Sequence, residues 1–138
     1  RTAIRSHLNQ KSVGLPITEM FIWGDDVEFF NRMTRNGFNG FYCPASRVLH
    51  KTKLNNNSDL LSQTKDQLWK AKFGIRNDLY NIRIQNGIIK MLRVLLWRLT
   101  VLNLRILLFK KSAKFTTLKV NTLSSLSVLA FYPKIECL

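Results

Sequence analysis

Three of the chain's eight carboxylates, Asp25, Asp26 and Glu28, fall within four residues, directly behind Phe21-Ile22-Trp23-Gly24. Carboxylates this close repel one another unless a cation or a positive substrate group sits nearby. Phe21, Ile22 and Trp23 fit the end of a buried strand or an apolar loop, and Gly24 permits a tight turn. Asp25 or Asp26 is a good N-cap, and Val27, Phe30 and Met33 then recur at helical spacing. Asn36-Gly37 supplies a stop. The pattern predicts a helix over about residues 25 to 36, with the carboxylates at its positive end, where the helix dipole favours the ionised form. Taken alone, Asp-Asp-x-Glu reads as a helix cap with an acidic first turn.

Around this stretch, residues 1 to 12 are polar and basic, and His7 stands alone without an evident role. Gly14-Leu15-Pro16 is turn chemistry. Gly40-Phe-Tyr-Cys-Pro44 and Arg47-Val-Leu-His50 read as two short strands, or one broken by Pro44. Residues 52 to 58 read as a polar loop. Asp59 to Phe73 reads as a helix capped by Ser58 or Asp59, and Ile75, Leu79 and Ile82 continue a second one that ends at Asn86-Gly87. Arg76 and Asn77 lie at its start, where they would ordinarily be a surface arginine and a polar cap. Cys43 and Cys137 are too far apart for a metal-ligand pair or a disulfide framework and read as free thiols in a reducing compartment.

Several of these pieces together resemble a known family. Gly14-Leu15-Pro16, Glu19-Met-Phe-Ile-Trp-Gly-Asp-Asp-Val-Glu-Phe with Phe30, then Arg32, Gly37, Tyr42, Pro44, Ser46, Val48 and His50-Lys51 resemble the C-terminal half of a family 2 glycosyltransferase. The likeness is to the rhamnosyltransferase and galactofuranosyltransferase branch. Phe73 followed by Arg76-Asn77 is similar to that branch's aromatic-x-x-Arg-Asn element. The matched region runs from about residue 13 to residue 87.

The resemblance implies an α/β fold: the C-terminal portion of a GT-A (Rossmann-like) domain over residues 1 to 87, followed by basic amphipathic helices over residues 88 to 138. It implies an inverting transfer of sugar from a nucleotide-diphosphate donor to a saccharide or lipid-linked acceptor, in bacterial cell-surface polysaccharide synthesis. Such a displacement needs a base for the acceptor hydroxyl proton and a cation for the leaving diphosphate. Asp26 would be the base and Asp25 would orient acceptor hydroxyls. Glu28 would hydrogen-bond the acceptor, and Trp23 would floor a sugar ring. Arg76 and Asn77 would brace the acidic motif or touch the acceptor. His50 would help to hold a divalent cation, Mn²⁺ or Mg²⁺, imidazole suiting Mn²⁺ better. The family's donor-binding half, with its Asp-x-Asp motif, precedes this region and is not in the sequence. The 138 residues are therefore expected to transfer no sugar by themselves.

Charge marks out the rest. The chain carries 22 Lys and Arg and a net charge of +14, which implies an anionic partner. Residues 88 to 119 hold no carboxylate at all. Along 88 to 114, Lys90, Arg93, Arg98 and Arg105 fall within an arc of about 140° on a helix, with Leu and Val over the remainder. Charge interrupts every stretch long enough to cross a bilayer. The segment reads as an interfacial helix on an anionic leaflet, peripheral on the cytoplasmic face of the membrane. Its competitor is a helix packed on the catalytic domain with one basic face exposed. Nucleic acid is disfavoured, because the basic residues are strung along a Leu-rich helix without interleaved aromatics. A non-catalytic basic module, or an inactive transferase remnant, is the alternative function. Residues 115 to 138 suggest none.

Overall fold

A computed structural model of the chain describes residues 13–41, 43–47, 49 and 59–136. Among the described residues five α-helices carry the architecture: α1 (Asp25–Arg35), α2 (Leu68–Asn86), α3 (Ile88–Trp97), α4 (Asn103–Phe109) and α5 (Lys114–Ser127). A π-helical segment, Arg98–Leu102, joins α3 to α4, and short 3₁₀ turns lie at Thr18–Met20, Lys65–Gln67 and Val128–Ala130.

The described residues contain no strand, so the α/β, Rossmann-like expectation is overturned. A strand exists only through hydrogen bonds to a neighbour, and no described segment supplies one. Phe41 is 89% exposed instead of being sandwiched in a sheet. Pro44 lies in a turn in which Ser46 N donates to Cys43 O at 3.1 Å. Tyr42, Val48 and His50, which belonged to the expected strands, lie outside the described residues, as does the polar loop at 52 to 58.

α1 begins where the carboxylate pattern places it. The residue at its N-cap is Gly24 in the left-handed region (φ 88°), not an aspartate. Gly37 (φ 82°) closes the other end, with Gly37 N on Thr34 O and Phe38 N on Met33 O, both at 3.1 Å. α2 starts later than expected, behind a capping box in which Thr64 and Gln67 satisfy each other's backbone. It then runs unbroken through Gly74 for 19 residues to Gly87.

Helix α2 is the central element, with α3 and α5 along it. Leu68, Ala71, Ile75 and Leu79 recur on its inward face and join Met20, Met91, Leu95, Leu102, Ile106, Val128 and Phe131 in one buried cluster. That cluster crosses residue 87 without a break, so the basic helices and the motif-bearing segment share a core. Truncating a fully buried member such as Leu79 to Ala removes about 2–5 kcal/mol.

The tail, for which the sequence suggested no role, turns back at Ala113 (φ 52°) and packs as α5. Its inward face is polar: Thr117, Asn121, Ser124 and Ser125 are buried. Asn121 Nδ2 donates to Arg98 O at 3.0 Å and to Asn103 Oδ1 at 2.8 Å. It thereby occupies a carbonyl at the start of the π segment, where the usual helical ladder is broken. Lys110, also buried, donates to Leu60 O (2.7 Å), Gln63 O (2.9 Å) and Leu61 O (3.3 Å), pinning the turn ahead of α2. Burial lowers the Lys110 pKa from its ordinary value, and the charge of Asp59 opposes that shift.

Candidate functional site

The approach to α1 is an unusual piece of backbone. Phe21 (φ 59°) and Trp23 (φ 62°) both sit at positive φ, followed by Gly24. Aromatic residues at positive φ are outliers, because their Cβ crowds the following carbonyl. Such conformations persist only where the surroundings over-determine them.

Here α2 does so. Asn77, with no exposed surface, presents Nδ2 to three carbonyls: Met20 O at 2.8 Å, Ile22 O at 3.2 Å and Trp23 O at 2.8 Å. One turn on, Asn81 Nδ2 donates to Gly24 O at 2.9 Å. Arg76 holds the amide of Asn77 in place, donating from Nε and Nη2 to Asn77 Oδ1 at 3.1 and 3.0 Å. A guanidinium only donates, so the amide oxygen faces it and the NH₂ group is left to face the loop. Arg76 also donates to Glu19 O and lies 3.9 Å from the Phe131 ring centroid. Burial lowers its pKa from the ordinary value, and the Glu19 charge partly offsets this. The Arg76-Asn77 pair thus braces the backbone of the acidic motif.

The three carboxylates part company. Glu28 is buried at 6% exposure, and both of its oxygens accept from Arg32 at 3.0 Å, from Nε and from Nη2. Arg32 in turn donates to Val13 O and, at 2.9 Å, to Leu15 O, fastening the preceding turn to α1. Glu28 is therefore engaged by Arg32 at both oxygens and buried away from solvent. Asp25 and Asp26 remain at the helix start with no Lys or Arg of the described residues in ion-pair range. The nearest partner of Asp26 is local: its Oδ1 accepts from Val27 N at 2.8 Å.

Trp23 lies against Gly74 of α2, where any Cβ would come within 2.6 Å of Trp23 Cε3. Trp23, Gly24 and Val27 line a cavity of about 660 Å³ together with Asp78, Asn81 and Gln85 of α2 and with Trp97, Arg98, Leu102 and Arg105 of the π segment and its flanks. Arg98 Nη2 meets Asp78 Oδ2 at 2.9 Å, while Arg98 Nε has no hydrogen-bond partner among the described residues. Asp25 and Asp26 lie in the chain between two lining residues, Gly24 and Val27, but are not themselves part of the wall. A lining that combines tryptophan with amide, carboxylate and guanidinium side chains suits a saccharide, which presents apolar C–H faces and a rim of hydroxyls.

The structure thus brings Arg76 and Asn77, at the middle of α2, against the loop that carries Trp23 and leads into Asp25 and Asp26, and gives Glu28 a partner of its own. His50 lies outside the described residues. Among the described residues no group of three His, Cys, Asp or Glu side chains could hold a metal ion. Sequence reasoning missed Asn81, although a second Asn four residues after Asn77 signals a shared helix face. It also missed Asp78, Trp97, Arg98 and Arg105 as cavity residues, for which the π segment gives no sequence signal. No protein-family model, no curated protein and no solved structure matches the chain.

Proposed function

We propose that the chain is the acceptor-binding part of an inverting glycosyltransferase that uses a nucleotide-diphosphate sugar. The observation that carries this reading is the clamped Trp23-Gly24 loop, which leads into two aspartates without an ion-pair partner among the described residues and itself lines a cavity that Trp97 also lines. Fixed carboxylates at a helix start suit general-base work, because their positions are set before substrate arrives. Asp26 takes the proton of the attacking acceptor hydroxyl. The oxygen forms its bond to the anomeric carbon as the nucleoside diphosphate leaves from the opposite face, which inverts the centre. Asp25 orients the neighbouring hydroxyls, and Trp23 supports the sugar ring. Arg76 and Asn77 act by holding the loop that carries these groups. A divalent cation with His50 as a ligand belongs to the same reading by resemblance and would offset the charge of the leaving diphosphate. The acceptor is a saccharide, free or lipid-linked, met at the cytoplasmic face of the cell membrane.

The test is saccharide binding by this chain, read as tryptophan emission during titration with mono- and oligosaccharides. A saturable change that Trp23→Ala abolishes is the expected result. A flat response across the panel from a chain shown to be folded by circular dichroism overturns the assignment.

A further inference from the structure

The segment from α3 through α4 buries only part of its apolar surface. Met91, Leu95, Leu102 and Ile106 face the core, whereas Ile89, Leu96, Leu104 and Leu108 are 67%, 63%, 56% and 65% exposed. Lys90, Arg93, Arg105 and Lys111 are exposed among them. From Leu79 to Ile135 the chain has ten Lys or Arg and no carboxylate. Exposed apolar side chains gathered on one segment mark an interaction site, and the charges among them select the partner.

We infer that the outward face of α3 and α4 docks on an anionic phospholipid surface. The exposed Leu and Ile enter the boundary of the acyl region, while the long basic side chains reach back to lipid phosphates. A protein partner would more naturally meet an apolar centre ringed by charge; here apolar and basic residues alternate along the same face. Nucleic acid would engage the basic residues and leave the Leu and Ile in water. The segment lies on the surface instead of crossing it, since among the described residues no helix is long and apolar enough to cross a membrane. Trp97 and Arg105 belong to the same segment and also line the cavity, so docking brings the cavity beside the bilayer. The inference stands apart from the transferase reading, because lipid binding needs neither Asp25 nor Asp26.

The experiment is flotation of the full chain with vesicles of phosphatidylcholine alone and of phosphatidylcholine mixed with phosphatidylglycerol, at low and high salt. The chain should float with the mixed vesicles only, and less at high salt. Lys90→Gln with Arg93→Gln should weaken binding about twenty-five-fold, two basic residues each contributing about fivefold. Leu96→Glu with Leu108→Glu should abolish it, while circular dichroism stays unchanged because both positions are exposed. No flotation with anionic vesicles, or flotation indifferent to both double variants, overturns the inference. Retention of nucleic acid without vesicle binding, or a dimer dissolved by Leu96→Glu with Leu108→Glu in a chain that never floats, overturns it equally.

Discussion

The side-chain nitrogen of Asn77 lies 2.8 Å from the carbonyl oxygen of Trp23, across 54 residues of chain, and the same nitrogen reaches Met20 O and Ile22 O. One buried amide therefore holds the backbone that presents Asp25 and Asp26. Asn77→Asp is nearly isosteric but replaces the donor with an acceptor facing three carbonyls. It should lower unfolding free energy by about 2–4 kcal/mol. Denaturant unfolding checks this, and an unchanged midpoint would show that the clamp contributes little.

Gly74→Ala should separate the loop from the fold. In an exposed helix the change would stabilise by up to about 1 kcal/mol. Here the new methyl meets the Trp23 ring at 2.6 Å, so Trp23 has to leave its seat. The expected outcome is a small net change in stability with a clear change in tryptophan emission and weakened saccharide binding. Retention of both wild-type emission and wild-type affinity would show that the indole seat is unimportant.

How much of this was legible follows from how local each signal is. The start of α1 and its stop at Asn36-Gly37 rest on neighbours in the chain, and both could be read. The expected strands at 40 to 50 could not be judged locally, because a strand needs a partner elsewhere and none of the described residues provides one. α5 falls within the expected helical tail, but its packing against α2 could not be read, because the face it buries carries the polar Thr117, Asn121, Ser124 and Ser125. The Arg76-Asn77 pair could be singled out, but its grip on residues 19 to 23 is a long-range fact. Glu28 was expected at the acceptor because the commitment of Arg32, four residues on, is visible only in three dimensions.

Tyr80 gives a dependence on pH. It is buried at 7% exposure and packs edge-on to Phe131 with ring centroids 5.3 Å apart. Burial, helped by the charge of Glu28, raises its pKa above the usual phenol value, against the opposing pull of Arg83 and Arg32. The neutral phenol is thus favoured in the folded chain. Its contribution is complete below the unfolded pKa of about 10 and is lost as pH rises from there through the folded value. Tyr80→Phe should flatten that alkaline loss in unfolding measurements. An identical alkaline slope in both proteins would exclude Tyr80 as its source.

Glu28→Gln tests the division of labour among the carboxylates. The substitution leaves the Arg32 guanidinium, whose side chain is 10% exposed, without its counter-charge. Removing one partner of a buried pair typically destabilises by about 3–5 kcal/mol, and Gln, which retains hydrogen-bonding ability, should fall at the low end. Saccharide affinity per folded molecule should stay the same. A loss of affinity with unchanged stability would instead place Glu28 at the acceptor.

Asp26→Asn should show the opposite profile. Asp26 is exposed and its one described partner is the adjacent Val27 N–H, so unfolding of the chain should hardly change. On the proposed transferase reading, in a chain that also carries a donor-binding half, removing this base should lower turnover by about 10²–10⁴-fold. Donor affinity should survive, because the proton being removed belongs to the acceptor. Equal losses in turnover and donor binding would assign Asp26 to the cation or the donor instead. In parallel, His50→Ala should shift the Mn²⁺ titration of activity to higher concentration while leaving acceptor affinity intact. Coincident shifts in both Asp26→Asn and His50→Ala would identify one shared cation site in place of a separate base.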